Sequence, residues 1–377
     1  MPQSSTYLDT LRFGVGWLRP RSGIRLRELM IEPDDGAATS AATLMEAAGG
    51  SPARGWVVLH GMTRPGRHHP ALMRFGRALA STGGRVLIPE VPEWTALSFA
   101  PERAQAIIRA AVRRLAADPD TRPGGVALVG FSFGAPQALL AVSTPDCARY
   151  VRAVIAWGGY DDLARTAYFQ FTGDHEWDGV THHQDPDPYG RWVVGANCLP
   201  LASGLPAPDA VADALRTLAA SAGDRQVDAR DAGLDGLKAQ LRMNLPRQAR
   251  PLFDQFAPPA DHTPDIDDVR RLVDHVSAAV RREATLLEPL RMIRDIPMPV
   301  RVLHARTDHL IPVTETLRTA RTLAPHTRSL KASVVGLFQH SGRPGGESVV
   351  YQVRALPGFL GAVSGIFEAT RERAGGD

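Results

Sequence analysis

Residues 126–141 constrain the fold more than any other stretch of the chain. An apolar run typical of a buried strand ends at Gly130, the pattern Gly130-x-Ser132-x-Gly134 follows, and an Ala- and Leu-rich helical run then begins. This order predicts a tight strand-to-helix turn that presents the hydroxyl of Ser132 above a sheet. Glycine suits the two flanking positions because it has no Cβ to collide with the helix. The alternative interpretation is a surface Gly-Ser turn.

Patterns that predict strands recur on both sides of this turn. They cover residues 24–33, 42–47, 56–59, 85–89, 153–157, 300–304 and 333–336. Helical patterns over residues 70–82 and 101–117 separate several of them, and a closing helix is predicted around residues 355–371. Strands that alternate with helices form parallel sheets covered on both faces. We therefore predict an α/β fold with a doubly wound, mostly parallel sheet.

The alternation of predicted strands and helices stops between residues 161 and 294. This segment contains helical patterns instead, one over residues 267–283 and one after Pro188, where Asp187 is in position to cap a helix. We predict a core made of residues 1–160 and 295–377 and a mainly helical cap made of residues 161–294. A cap of this kind excludes water and shapes the pocket above a sheet.

Composition excludes several other classes of protein. The 377 residues are 44% hydrophobic and 22% charged, as in globular proteins, and the net charge is only +3. The arginines are scattered and not interleaved with aromatic residues, so no nucleic-acid partner is expected. We find neither a secretory signal pattern nor a run of about 20 apolar residues. These features predict a cytoplasmic protein without a membrane span, with Cys147 and Cys198 both reduced.

An activated serine needs a base, and the base needs an acid that orients it. In a doubly wound sheet these groups follow the carboxyl ends of strands. Asp308 follows the strand over residues 300–303, and His340 follows the strand that ends near Val335. The sequence therefore predicts Ser132, Asp308 and His340 as catalytic residues. Asp161 and Asp162 follow an earlier strand and are the alternative acids.

Together with the pair His60-Gly61 and the segment Asp308-x-x-Ile311-Pro312, this constellation resembles the α/β-hydrolase family. The resemblance covers residues 1–160 and 295–377 and is strongest over residues 56–160. It implies the fold of that family, with Gly130 and Gly134 in the serine turn. The chain has no His-Gly-Gly-Gly run, which argues against the hormone-sensitive-lipase-like subgroup.

The resemblance also implies an oxyanion hole formed by two backbone N–H groups. One follows the His-Gly pair and one follows the serine, which places them at Met62 and Phe133. Fixed backbone donors of this kind stabilise the negative oxygen of a tetrahedral intermediate.

These residues predict a cofactor-free serine hydrolase that cleaves a small-molecule carboxylic ester through an acyl-enzyme on Ser132. Cleavage of an amide, thioester or carbon–carbon bond and acyl transfer use the same residues, so they stay open. A hydrolase-shaped binding protein without turnover is the alternative from another class. The histidines and carboxylates of residues 174–185 match no metal-binding spacing, so no metal is predicted. The sequence does not indicate an oligomeric state.

Overall fold

A computed structural model describes residues 2–19, 23–33, 36, 38–47, 52–225, 227–259, 262, 264–336 and 349–372. These residues form an eight-stranded sheet and a separate two-stranded hairpin. The strands of the sheet are β1 (Ile24–Ile31), β2 (Ser40–Ala47), β3 (Gly55–Leu59), β4 (Arg85–Pro89), β5 (Val126–Phe131), β6 (Val151–Trp157), β9 (Val300–Ala305) and β10 (Leu330–Val335). The hairpin is β7 (Asp174–Trp177) with β8 (Val180–His183).

The strands of the large sheet lie in the order β1-β2-β4-β3-β5-β6-β9-β10. The pairs β1–β2 and β2–β4 are antiparallel, and every pair from β4 to β10 is parallel. Strands β3 and β5 are completely buried, which explains their continuous apolar runs. The predicted mostly parallel sheet is confirmed.

Helices cover both faces of the sheet, which confirms the doubly wound prediction. The structure describes the helices α1 (Pro2–Leu18), α2 (Pro70–Ala80), α3 (Pro92–Thr95), α4 (Pro101–Ala116), α5 (Gly134–Val142), α6 (Pro145–Ala148), α7 (Leu163–Thr172), α8 (Pro188–Cys198), α9 (Pro208–Arg225), α10 (Asp235–Asn244), α11 (Arg250–Phe256), α12 (Ile266–Glu283), α13 (Val313–Leu323) and α14 (Val349–Ala369). None of the helices within the described ranges is both long and apolar enough to cross a bilayer.

Two hydrophobic clusters lie on opposite faces of the sheet. On one face, α1, α2 and α14 bring together an aromatic group that includes Phe13, Phe75 and Phe359. On the other face, α4 and α5 pack in a cluster that continues without a break into the helices between β6 and β9. Alternate side chains of each buried strand point to opposite faces, so each strand contributes to both clusters.

Helices α7 to α12 and the β7–β8 hairpin lie between β6 and β9; we call residues 161–294, the predicted cap, the insertion. The carboxylate of Asp187 accepts a hydrogen bond from the Tyr189 N–H and caps α8 as predicted, and Asp162 caps α7 by accepting from the Arg165 N–H. The only strands described in the insertion are β7 and β8, and neither is buried. Its division from the rest of the chain as a cap stays a prediction.

The two ends of the chain differ from the sequence reading. Helix α1 was not predicted, and α14 begins at Val349, earlier than residue 355. Phe13 and Trp17, four residues apart, bury one face of α1 against α2 and α14. Apolar residues four positions apart are typical of one face of a helix, so this spacing favoured a helix in the sequence as well.

Candidate functional site

Ser132 occupies a strained turn at the carboxyl end of β5. Its φ is +53°, a left-handed conformation that residues with a Cβ rarely adopt. The Ser132 N–H donates to the Trp157 carbonyl at 2.8 Å, and the Ser132 carbonyl accepts from the Ala135 N–H at 2.9 Å. Both neighbouring elements therefore hold the turn in place, and the half-buried serine side chain projects from it.

Gly130 and Gly134 are needed because backbone passes too close to both for a side chain. A Cβ on Gly130 would lie 2.2 Å from the carbonyl oxygen of Gly134, and a Cβ on Gly134 would lie 2.7 Å from that of His60. Both distances are well inside van der Waals contact, and the atoms met are backbone atoms that cannot rotate away. The glycines of the motif thus let β5, α5 and the end of β3 converge on the serine.

The turn after β3 reaches the serine as well. A Cβ on Gly61 would lie 2.8 Å from the Cβ of Ser132, so Gly61 is in direct contact with the serine turn. Met62 follows Gly61, and Phe133 precedes the first residue of α5. In the part of the chain that the structure describes, neither the Met62 nor the Phe133 N–H donates a hydrogen bond.

His60 anchors the turn that carries Gly61 and Met62. Its ring is buried, and its Nε2 accepts a hydrogen bond from the Val91 N–H at 3.0 Å. An amide can donate only to a ring nitrogen with a lone pair, so the proton of this imidazole is on Nδ1. Nδ1 then donates to the Gly61 carbonyl at 2.8 Å and points that carbonyl back toward the histidine.

The ring of Phe133 packs against one aromatic side chain of α3 and one from the segment that follows α3. It stacks on Phe99 at 4.7 Å between centroids, with an interplanar angle of 10°, and meets Trp94 edge-on at 5.5 Å. The same segment contains two left-handed residues, Leu97 with φ +59° and Ala100 with φ +36°. We call residues 97–100 the second strained segment; it lies directly against the serine turn.

Asn197 of α8 fixes the second strained segment. Its Oδ1 accepts from the Phe99 N–H at 2.9 Å, and its Nδ2 donates to the carbonyls of Leu97 at 2.9 Å and Val193 at 2.8 Å. Sequence reasoning missed Asn197 because its partners lie about 100 positions away along the chain. No local motif signals such a contact.

Asp308 lies in the loop after β9 and is 1% exposed. Its Oδ1 accepts from the N–H groups of Leu310 at 2.9 Å and Ile311 at 3.1 Å, which fixes the carboxylate plane. His304, at 3.5 Å from Oδ2, is itself held by the Ile311 carbonyl and the Thr316 hydroxyl. Ser132 follows β5 and this loop follows β9, and one parallel strand, β6, lies between β5 and β9 in the sheet.

The alternative acids are held by other partners. Asp162 is contacted by Arg281 at 3.2 Å and Arg291 at 3.0 Å in addition to its cap bond from Arg165. Burial by itself raises its pKa, but the hydrogen bonds from Arg165 and Arg291 outweigh burial and leave the pKa below its ordinary value. Asp161 pairs with Arg165 at 2.6 Å and accepts from the Thr322 hydroxyl at 2.9 Å. This arrangement disfavours both as the acid of the serine site.

His340 lies outside the described residues. The strand on which its prediction depended is present, because β10 ends at Val335 and pairs with β9 in parallel, Val335 opposite Ala305. The role of His340 as the base stays a prediction.

The histidines after α7 belong to the β7–β8 hairpin. His175 lies opposite His182, and His183 contacts Asp174 at 2.8 Å between Nδ1 and Oδ1. Within the described ranges, no three histidine, cysteine or acidic side chains are grouped so as to hold a metal ion. Cys147 and Cys198 are unpaired, and burial raises their thiol pKa to about 11 and about 12.

A pocket of about 400 Å³, including its open mouth, lies between α7, α8 and α12. Mostly apolar side chains line it, together with Ser277 and one carboxylate, Glu288. Burial first, and the charge of Asp162 second, raise the pKa of Glu288 to about 7, and its nearest donor is the Leu163 N–H at 3.3 Å. Sequence analysis did not single out this residue, since burial of a carboxylate leaves no motif.

Known proteins resemble this chain in structure only. No protein-family model matches it, and no curated protein sequence does. Brefeldin A esterase, a bacterial homologue of human hormone-sensitive lipase, superposes with a TM-score of 0.51 at 17% identity, covering 98% of this chain and 86% of that one. The esterase Est22 gives a TM-score of 0.51 at 12% identity, covering 96% and 87%.

Acylaminoacyl peptidase of Pyrococcus horikoshii gives a TM-score of 0.50 at 11% identity, covering 96% of this chain. This chain spans only 44% of the length of that peptidase. At such identities the likeness concerns the fold. That this chain lies outside the hormone-sensitive-lipase-like subgroup therefore stays a prediction.

Proposed function

From the α/β-hydrolase fold that this chain has, we propose that it is a serine hydrolase that cleaves a carboxylic ester through an acyl-enzyme on Ser132. The observation that carries the proposal is the left-handed backbone of Ser132 at the carboxyl end of a buried parallel strand. Such strain persists only where the surrounding structure enforces it, and a turn of this kind presents a nucleophile.

In the proposed reaction, the Ser132 oxygen attacks the ester carbonyl carbon while its proton passes to His340. The N–H groups of Met62 and Phe133 donate to the carbonyl oxygen as it becomes negative. Collapse of this intermediate breaks the ester C–O bond, and His340 returns the proton to the departing alcohol. Water, deprotonated by His340, then releases the acid and restores the serine.

The proposed oxyanion hole is supported by the two N–H groups that donate to no group among the described residues. The Phe133 N–H also lies at the start of α5, where the helix contributes a positive field. Asp308 orients His340 in this mechanism, and the two N–H bonds to its Oδ1 keep the carboxylate from rotating.

We also infer that the insertion is a cap over the site. Three of its side chains contact either the loops that carry the proposed catalytic groups or a segment packed against them. Gln184 donates to the Asp308 carbonyl at 2.7 Å, Asn197 binds the segment under Phe133, and Asp224 pairs with Arg64 at 2.8 Å, two residues after Met62. A cap bound at these points restricts water near the acyl-enzyme.

Labelling with a fluorophosphonate probe tests the proposal. Wild-type protein is expected to label at Ser132 and to hydrolyse p-nitrophenyl esters. Ser132→Ala loses both, and Ser143→Ala, a matched change at the end of α5, loses neither. Absence of labelling in a protein with a normal melting transition would show that the fold serves binding instead. A panel of ester, amide and thioester substrates of different chain length then defines the bond.

A further inference from the structure

Helix α1 is apolar on its outer face as well as on its inner face. Its inner face places Phe13 and Trp17 against α2 and α14. Five more large apolar side chains of α1 are between 45% and 67% exposed: Tyr7, Leu8, Leu11, Val15 and Leu18. We call these five the outer stripe. At 3.6 residues per turn they occupy a band roughly 100° wide along the helix.

A band of this size is uncommon on a protein surface that faces only water. Single exposed apolar residues are normal, but a contiguous row along one helix marks a contact with a partner or a lipid surface. The rest of α1 is already committed to the core, so the helix cannot turn its outer stripe inward without exposing Phe13 and Trp17.

The charges of α1 are sorted between the two faces. Its acidic residue, Asp9, points inward and pairs with Arg54 at 3.2 Å and with Arg371 at 2.5 Å. Arg12 is exposed and lies beside the outer stripe, about 40° further round the helix than Leu8, and Arg19, also exposed, directly follows the end of α1. In the described part of α1, the outer face therefore has one arginine and no carboxylate, and a second arginine follows the helix.

We propose that the outer stripe binds the surface of an anionic lipid bilayer, with α1 lying parallel to the membrane. The five apolar side chains enter the boundary between headgroups and acyl chains, and Arg12 and Arg19 pair with lipid phosphates at its edge. This combination of an apolar face and a basic margin is complementary in charge to an anionic leaflet. The proposal is independent of the chemistry at Ser132.

The same charges disfavour a second copy of the chain as the partner. A two-fold contact sets each surface against itself, so α1 would face α1. Where the two helices run antiparallel, Arg12 and Arg19 of both copies lie on the same side of the contact with no carboxylate from either helix between them. Like charges brought together in this way weaken an interface.

Vesicle sedimentation tests the proposal. Wild-type protein is expected to bind vesicles of mixed phosphatidylcholine and phosphatidylglycerol at least about tenfold more tightly than pure phosphatidylcholine vesicles, with loss of the preference at high salt. Leu11→Gln with Val15→Gln should lower binding by about tenfold or more. Arg12→Gln with Arg19→Gln should remove the preference for anionic vesicles while leaving weak binding to both.

The matched control changes two exposed apolar residues elsewhere, Met243→Gln and Ile266→Gln, and should bind like wild type. Circular dichroism checks that every variant is folded. The proposal is wrong if the wild type does not bind anionic vesicles or if the stripe variant and the control bind equally. Light scattering tests the alternative partner, a second copy of the chain. If the wild type is a dimer and the variant with Leu11→Gln and Val15→Gln is a monomer, the outer stripe is a dimer interface and the membrane proposal is wrong.

Discussion

Two strained segments meet at the ring of Phe133, and they are stabilised in different ways. The serine turn is held by its own neighbours, because Gly130 and Gly134 let adjacent strand and helix backbone close around it. The segment from Leu97 to Ala100 has no glycine. Trp94 supports it locally by donating to the Phe99 carbonyl at 3.0 Å, and Asn197 from the insertion supports it from a distant part of the chain. Strain supported locally is visible in a motif, whereas strain supported from a distance is not.

Because the serine turn depends on its glycines, we expect a methyl group added at Gly130 to disrupt it. In Gly130→Ala the new Cβ would lie 2.2 Å from the Gly134 oxygen, so the turn must open. We expect a loss of about 3 kcal/mol or more in the free energy of unfolding, measured in urea. Gly236→Ala in α10, where a Cβ meets nothing within 4 Å, should instead gain about 0.5–1 kcal/mol. Equal midpoints for Gly130→Ala and wild type would refute the close packing of the turn.

The insertion contains another kind of feature that lowers the stability of the folded protein, a buried carboxylate. Glu288 has its pKa raised from 4.5 to about 7, so the unfolded chain loses this proton at lower pH than the folded protein does. Stability therefore falls as pH rises from about 4.5 to about 7, by about 3 kcal/mol in total. Glu288→Gln removes the charge, so it should be more stable than wild type above pH about 7 and equal to it below pH about 4.5.

Thermal unfolding across this pH range measures the difference between Glu288→Gln and wild type. Glu283→Gln, an exposed carboxylate at the end of α12, serves as the control and should track wild type at every pH. A constant offset for Glu288→Gln, with no dependence on pH, would contradict the shifted pKa.

Removal of the remote support should loosen the second segment. Asn197→Ala leaves the Phe99 N–H and the Leu97 carbonyl without their partner, which costs about 2 kcal/mol. Because Phe99 stacks on Phe133, we also expect kcat on p-nitrophenyl esters to fall about tenfold with little change in KM. Asn244→Ala, at an exposed position, is the control. Unchanged kcat together with lowered stability would limit Asn197 to a structural role.

The smallest expected effect comes from Ala100, which has φ +36° and ψ +59°. Glycine adopts this conformation without strain, so Ala100→Gly should gain up to about 1 kcal/mol. Ala104→Gly, four residues later inside α4, should lose about 1 kcal/mol because its backbone is helical. Unfolding of the two variants in denaturant measures the difference, and a lower free energy of unfolding in both would mean that the segment is not strained.

Much of the fold followed from local patterns. Local sequence patterns predicted the positions of several elements: the strands from β1 to β6, the strand β9 and the helices α2, α4, α8 and α12. They predicted the serine turn too, because its glycines and its flanking run are contiguous in the chain. The role of His340 rests on residues that the structure does not describe, so that part of the site remains a prediction.

Contacts between distant positions were not predictable. The contacts of Asn197 with Leu97, and of Asp162 with Arg281 and Arg291, join residues about 100 or more positions apart. A single sequence contains no signal for such pairs, since any arginine or asparagine in the insertion is an equally plausible partner. The outer stripe of α1 shows the same limit, because only packing distinguishes an exposed leucine from a buried one.

By itself the sequence determined the strand–turn–helix around Ser132, since steric limits on a few adjacent residues leave one arrangement. The tertiary structure alone decided which loops converge on that turn, which carboxylates are held by arginines and which face of α1 is left outside. Those outcomes depend on distances between elements far apart in the chain, and such distances exist only after the sheet has assembled.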